Sequence, residues 1–182
     1  LAEFYLHHRL SEDLDLFCEK EEVDQKTVEA FLKKKSSALG IVNIKRSVFL
    51  GLYSYKLIYK DGKELKVDFN YYPFLRINRG KKFNDFEIDS LEDIAANKVH
   101  TIFMKPRSRD YIDLYFILKA ENYSLKRLIL DAKAKFDWHI DPVGLASQFL
   151  RVKEVTDLPK MLVPFKQKEM EKFYFDLIKE LG

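Results

Sequence analysis

The segment from residue 53 to residue 71 constrains the fold most strongly. It reads "YSYKLIYKDGKELKVDFNY", two alternating runs separated by Asp61-Gly62. This dipeptide favours the tight turn of a β-hairpin because both of its residues tolerate positive φ angles. We therefore predict that residues 53–60 and 64–71 pair as antiparallel strands. The wider segment 41–74 is rich in β-branched and aromatic residues, which indicates a sheet around this hairpin.

Helical patterns lie on the N-terminal side of this sheet. Residues 1–10 and 27–35 carry apolar side chains at helical spacing, and residues 14–17 between them form a short apolar run that predicts a strand. In the second helix we predict that Val28, Phe31 and Leu32 face inward.

Beyond residue 90 the pattern is helical throughout. Ser90 and Asp93 resemble a capping box, Pro106 ends the helix that they begin, and further helices are predicted from near Ser108, Ser124 and Pro142, with a last amphipathic helix near the C-terminus. This order predicts an α+β fold: a mixed sheet with flanking helices, followed by a C-terminal helical bundle. We place the boundary between a core domain (1–88) and a helical domain (89–182).

Composition excludes several classes of protein. An apolar fraction of 47% with 15 Phe and 10 Tyr is too hydrophobic for general disorder. The single cysteine excludes an internal disulfide framework and fits a reducing cytoplasm. No apolar run approaches the roughly 18 residues of a membrane span. The net charge of +3 is compatible with a nucleic-acid partner but does not establish one.

Three aspartates occupy strand positions where apolar or neutral residues are usual. Asp13 and Asp15 lie either side of Leu14, so they share one face of their strand, and Asp68 lies within the second strand of the hairpin. Neighbouring carboxylates repel unless a cation lies between them. Three on adjoining strands suit two Mg²⁺ ions that activate an attacking hydroxyl and stabilise leaving pyrophosphate. A solvent-facing strand edge is the alternative.

A second charged cluster is predicted on two consecutive helices. Asp110 and Asp113 are three residues apart and therefore share a helix face. Either salt bridges join the two helices, or a cationic rim binds a triphosphate. The basic residues involved are Lys98, Lys105, Arg107 and Arg109.

Two weaker patterns leave alternatives open. Tyr53, Tyr55 and Tyr59 alternate with lysines and either stack on RNA or belong to an ordinary two-faced strand. The histidine pair at residues 7 and 8, with Cys18, is a minor candidate for a zinc site.

Three stretches together resemble the AbiEii/AbiGii toxin family of nucleotidyltransferases, within the DNA polymerase β-like superfamily. They are "LAEFYLHHRLSEDLDLF", "LKVDFNYYPF" and "SLEDIAANKVHTIFMKPRSRDYIDLYFIL", and the resemblance spans residues 1 to about 120. The residues on matching motif positions are Arg9, Ser11, Asp13, Asp15, Phe17, Asp68, Asp93, Lys98, Arg109, Asp110 and Asp113.

The resemblance implies a metal-dependent enzyme. Asp13, Asp15 and Asp68 would be catalytic and would bind Mg²⁺ or Mn²⁺, and an NTP would donate its NMP to an acceptor, with a tRNA 3′ end as the leading candidate. The implied nucleotide-binding residues are Arg9, Ser11, Lys98, Arg109, Asp110 and Asp113. The resemblance also implies a toxin of a toxin–antitoxin (abortive infection) system, restrained by a cognate antitoxin.

Two alternatives to this function stay open at this point. The enzyme would modify a small molecule or a protein, or the chain would be a pseudoenzyme or binding module on the same fold. The family's Gly-Gly-Ser/Thr turn would precede Leu1, so we expect the natural protein to begin further upstream.

Overall fold

The computed structural model describes residues 1–49 and 52–181. A short helical segment, Ala2–Leu6, comes first, and a single turn, Arg151–Glu154, follows the fifth helix. The strands are β1 (Asp13–Cys18), β2 (Ile41–Phe49), β3 (Leu52–Tyr59), β4 (Glu64–Tyr71), β5 (Lys82–Phe83) and β6 (Phe86–Glu87). The helices are α1 (Gln25–Leu39), α2 (Leu91–Met104), α3 (Ser108–Ala120), α4 (Leu125–Phe136), α5 (Pro142–Leu150) and α6 (Gln167–Lys179).

The main sheet has four strands in the order β1-β4-β3-β2. β2, β3 and β4 are antiparallel neighbours, whereas β1 lies parallel to β4. The predicted hairpin is confirmed: the Tyr59 amide donates to the Lys63 carbonyl, and Gly62 has a φ of 79°, which glycine adopts without strain. The mixed α+β class is confirmed as well.

The chain forms two compact units, one of them being Ser11–Phe74. In this unit one face of the sheet packs against α1, because alternate strand residues are apolar. The buried residues of this core are Leu32, Ile41, Tyr55, Leu57 and Val67. The opposite face carries the polar residues of the same strands.

The other compact unit combines residues 1–10 with residues 75–181. Its helices begin where the sequence predicts. Ser90 accepts a hydrogen bond from the Asp93 amide at the start of α2, and Asp141 accepts one from the Gly144 amide at the start of α5. The helices enclose an apolar core that includes Ile102, Ile112 and Leu128. This division differs from the predicted boundary after residue 88, which stays a prediction about functional domains.

Two local predictions are wrong. The first helix ends at Leu6 rather than near residue 10, because His7 adopts a left-handed conformation with φ of 47°. The chain after it is extended, and Arg9 forms an antiparallel bridge with Met161. On α1, Phe31 does not face inward: it is 52% exposed, whereas Leu32 is buried.

Candidate active site

The polar face of the sheet collects the three predicted strand aspartates. Asp15 on β1 lies directly beside Asp68 on β4, and Asp13 lies beside Lys66. Residues paired in register point to the same side of a sheet, and residues two apart in a strand do so too. The structure therefore places Asp13, Asp15 and Asp68 on one face of two neighbouring strands.

Asp68 is the most buried of the three, with 6% of its surface exposed. The Ser54 hydroxyl on β3 donates to its Oδ1 at 2.6 Å, and the Lys66 ammonium donates to its Oδ2 at 2.5 Å. A buried carboxylate needs such partners because burial without them is costly. Ser54 and Lys66 therefore supply the buried Asp68 carboxylate with hydrogen-bond donors.

The aspartates fit a divalent cation in chemistry and in strand position, but not in side-chain arrangement. Carboxylate oxygens are the ligands that Mg²⁺ prefers. Among the described residues, however, no group of three or more His, Cys, Asp or Glu side chains is arranged to hold a metal ion. The predicted three-aspartate metal centre, and the zinc alternative, are thus not assembled in this conformation.

A second charged cluster lies in the helical unit around Asp113. This aspartate is fully buried on α3, and its carboxylate is bonded to the side chains of three residues. His8 Nε2 lies 2.9 Å from Oδ1, and Arg9 donates through Nε at 2.7 Å and through Nη2 at 2.9 Å. Lys98 Nζ on α2 lies 2.7 Å from Oδ2. Asp113 therefore fixes the positions of Arg9 and Lys98.

Lys98 also joins Asp113 to Asp110, one turn earlier on α3. Its ammonium donates to Asp110 Oδ1 at 2.7 Å, and the other oxygen of Asp110 accepts from the Arg107 amide at 2.9 Å. Only 17% of the Lys98 side chain is exposed. Lys98 thus forms salt bridges between α2 and α3, and its assignment to a triphosphate site stays a prediction.

The charge balance around Asp113 keeps it ionised. Burial alone would raise the pKa of its carboxyl, but hydrogen bonds from Arg9 and His8 and the positive charge of Lys98 outweigh burial, so the pKa lies far below its usual value. A permanently charged Asp113 holds its cationic partners over the whole physiological pH range.

Asp93, another motif position, has a structural role. Its buried carboxylate accepts from the amides of Ile77 and Asn78, from the Ser90 hydroxyl and from the Lys135 ammonium. Burial raises the pKa of Asp93, and these donors, Lys135 first, bring it below its usual value. Asp93 therefore anchors the 77–78 segment to α2 within the helical unit.

The remaining nucleotide-site candidates lie nearer the protein surface. Ser11 is exposed, and its hydroxyl donates to the Asp13 carbonyl at 3.3 Å, as in a surface turn. Arg109 is partly exposed on the first turn of α3. Their assignment to the nucleotide site stays a prediction.

Sequence reasoning missed Lys66 and His8. Strand alternation alone puts Lys66 on the face of Asp68, so that contact was predictable. The contact of His8 with Asp113 was not, because 105 residues separate them and no local pattern joins them.

The proposed stacking of strand tyrosines on RNA is wrong for Tyr55. Its ring is buried in the core of the sheet unit, where Tyr53 and Tyr59 also pack. All three lie on the apolar face, and Lys56 lies on the other. The alternation of tyrosines and lysines therefore matches a two-faced strand with its tyrosines on the apolar face.

The fold resembles that of two solved structures from Helicobacter pylori. One is JHP933, with 21% identity over 98% of this chain and 79% of that chain, and a TM-score of 0.54. The other is described as a "putative nucleotidyltransferase", with 21% identity over 99% of this chain and 84% of that chain, and a TM-score of 0.57. This likeness defines the class of fold.

A family model, described as nucleotidyl transferase AbiEii toxin of type IV toxin–antitoxin systems, matches residues 1–179. The chain belongs to this family, so it is a nucleotidyltransferase of the toxin–antitoxin class, as the motifs indicate. A search of curated proteins found no match. Among the described residues no helix is long and apolar enough to cross a membrane.

Proposed function

We propose that this enzyme transfers an NMP from an NTP to the hydroxyl of an RNA acceptor, with a tRNA 3′ end as the acceptor, and that the transfer depends on Mg²⁺ or Mn²⁺. The observation that carries the proposal is the register of β1 and β4, which sets Asp15 beside Asp68 with Asp13 on the same face. Carboxylates in this arrangement attract a divalent cation.

Asp13, Asp15 and Asp68 would hold the metal. A divalent cation bound there supplies Lewis-acid activation of the acceptor hydroxyl and charge stabilisation of the leaving pyrophosphate. Asp68, whose carboxylate Ser54 orients, would help to deprotonate the acceptor hydroxyl. Lys66 forms an ion pair with Asp68 on the same face of the sheet.

The Asp113 cluster would bind the nucleotide. Lys98 carries the charge that a triphosphate requires, with Arg9 as a second cation, and Asp113 and Asp110 hold Lys98 in one position. Such fixed charges stabilise a phosphoryl-transfer transition state without reorganisation. Ser11 and Arg109 stay predicted nucleotide-binding residues.

The family also supports a cellular role. We propose that the enzyme acts in the cytoplasm as the toxin of its system and that a cognate antitoxin restrains it. Modification of the acceptor end of tRNA would account for toxicity, because translation needs that end free.

Label transfer tests the proposed activity. Full-length protein is incubated with Mg²⁺, α-labelled NTPs and total RNA, and labelled RNA is resolved on a gel. We expect label in a tRNA-sized band, and we expect Asp13→Asn and Asp68→Asn to abolish it. Asp61→Asn in the hairpin turn is the matched control, and it should retain activity. Transfer that survives both active-site substitutions would refute the proposal.

A second candidate function is a nucleotidyltransferase-fold binding module. The contact between Lys66 and Asp68 favours it, because a carboxylate that already has an ammonium partner needs no metal. This candidate predicts that NTP with Mg²⁺ leaves the melting temperature unchanged. The transferase proposal predicts that NTP with Mg²⁺ raises the melting temperature, since a ligand that binds only the folded state stabilises it.

A further inference from the structure

Three lysines lie in register across the polar face of the sheet. Lys66 on β4 pairs with Lys56 on β3, and Lys56 pairs with Lys45 on β2. We call Lys45, Lys56 and Lys66 the lysine row. It begins beside Asp13 on β1 and continues over the next three strands, adjacent to the row that contains Asp15 and Asp68.

The lysine row is accessible. Lys45 is exposed, and the side chains of Lys56 and Lys66 are 48% and 41% exposed. The opposite face of these strands is covered by α1, so the lysines occupy the open side of the unit.

The ion pair of Lys56 is weak enough to exchange, whereas Lys66 is held by the buried Asp68 carboxylate. Lys56 pairs with Glu64 at 2.8 Å, and both side chains are about half exposed. Such an exposed pair contributes little to stability. The hydrogen bond from Lys56, and to a smaller extent the charges of Lys56 and Lys45, lower the pKa of the Glu64 carboxyl. Glu64 is therefore an acidic competitor for two of the three lysines.

We propose that the lysine row binds the phosphate backbone of a nucleic-acid acceptor as it leads toward the aspartates; this inference rests on the proposed transferase function. Neighbouring strands are about 4.8 Å apart, so the three lysine backbones span about 10 Å, and flexible side chains extend that reach. Phosphates neutralised by lysines release counterions, which supplies sequence-independent affinity. The acceptor hydroxyl then lies at the aspartate end.

A chain of phosphates fits the lysine row better than the NTP does. Only Lys66 is next to the aspartates, whereas Lys56 and Lys45 lie one and two strands further away. The triphosphate of an NTP must stay close to the reacting centre. A polymer with charge at regular intervals is the ligand that uses all three lysines.

Fluorescence anisotropy measures the binding. A labelled single-stranded RNA is titrated with full-length protein at several salt concentrations, without NTP or Mg²⁺. We expect Lys45→Gln with Lys56→Gln to weaken binding by on the order of tenfold at 0.1 M salt or below. The slope of log affinity against log salt concentration should become shallower by about 1.4, because each lost phosphate contact removes about 0.7 from it. Glu64→Gln should tighten binding.

The control is Lys34→Gln with Lys35→Gln, which removes the same charge from exposed positions on α1. It should leave affinity and slope near the wild-type values, and thermal melts verify that each variant is folded. The affinity for a DNA oligonucleotide of the same sequence should also fall in the double lysine variant, because the proposed contacts are to phosphates rather than to the ribose.

The outcomes separate this inference from the proposed function. If the wild type does not bind the RNA, or if the double lysine variant binds it as well as the α1 control does, the inference is overturned. A raised KM for NTP with unchanged RNA binding also overturns it. If RNA binding depends on the lysine row but no label is transferred, the transferase proposal fails by itself.

Discussion

The contact between Lys98 and Asp113 allows a quantitative prediction. Both side chains are largely removed from water, and Lys98 Nζ lies 2.7 Å from Asp113 Oδ2. Breaking a buried ion pair by removing one partner costs about 3–5 kcal/mol, because the other charge stays buried. We expect Asp113→Asn to lower the free energy of unfolding by about 3 kcal/mol, since the amide keeps part of the hydrogen bonding to His8 and Arg9.

Lys98→Met should lower the free energy of unfolding by about 2–3 kcal/mol, because it leaves the buried carboxylates of Asp110 and Asp113 without their shared ammonium. The 17% exposure of Lys98 keeps this penalty below that of a fully buried pair. In the double variant the losses should not add. Residues in direct contact couple by about 0.5–3 kcal/mol, and we expect at least about 1 kcal/mol here.

Urea unfolding followed by circular dichroism measures these values from the wild type, the two single variants and the double variant. Arg107→Met is the matched control. Arg107 also contacts Asp110, at 3.6 Å, but its side chain is 64% exposed. We expect it to change stability by less than about 0.5 kcal/mol. Additivity of Lys98 and Asp113 within about 0.5 kcal/mol would refute the reasoning that they act as one buried cluster.

Other predictions concern each compact unit. The partners of Asp93 and Asp113 lower the pKa values of both carboxyls in the folded protein. The stability that these carboxylates provide is therefore present above the unfolded-state pKa of about 3.9 and is lost as the pH falls below it. We expect the melting temperature to drop steeply below about pH 4. Tyr55→Phe should be neutral or stabilising by up to about 1 kcal/mol in urea, because the buried Tyr55 hydroxyl has no hydrogen-bond partner among the described residues. Leu32→Ala should cost about 2–5 kcal/mol by the same measurement, and a loss below 1 kcal/mol would contradict the packing of α1 on the sheet.

Local signals in the sequence predicted most of the fold. The Asp61-Gly62 turn, the Ser90 cap and the Asp141-Pro142 helix start each depend on residues within three or four positions, and the structure has all three. The end of the first helix was missed because His7 adopts a backbone conformation that apolar periodicity does not encode.

The candidate site was predictable in composition but not in contacts. Alternation along the strands put Asp13 and Asp15 on one face, and the three-residue spacing put Asp110 beside Asp113. The parallel register that pairs Asp15 with Asp68 could not be read from the sequence, because no local signal relates residues 53 positions apart. The same is true of His8, whose partner lies on another element.

Binding of Mn²⁺ tests the central claim most directly, because Mn²⁺ is spectroscopically visible and substitutes for Mg²⁺ on oxygen ligands. Electron paramagnetic resonance would count bound Mn²⁺ in the wild type, in Asp15→Asn and in Asp68→Asn, each with and without a non-hydrolysable NTP analogue. The account predicts bound Mn²⁺ in the wild type, strengthened by the nucleotide and lost in both variants. Equal binding in all three proteins, or no binding by the wild type with nucleotide present, would contradict it.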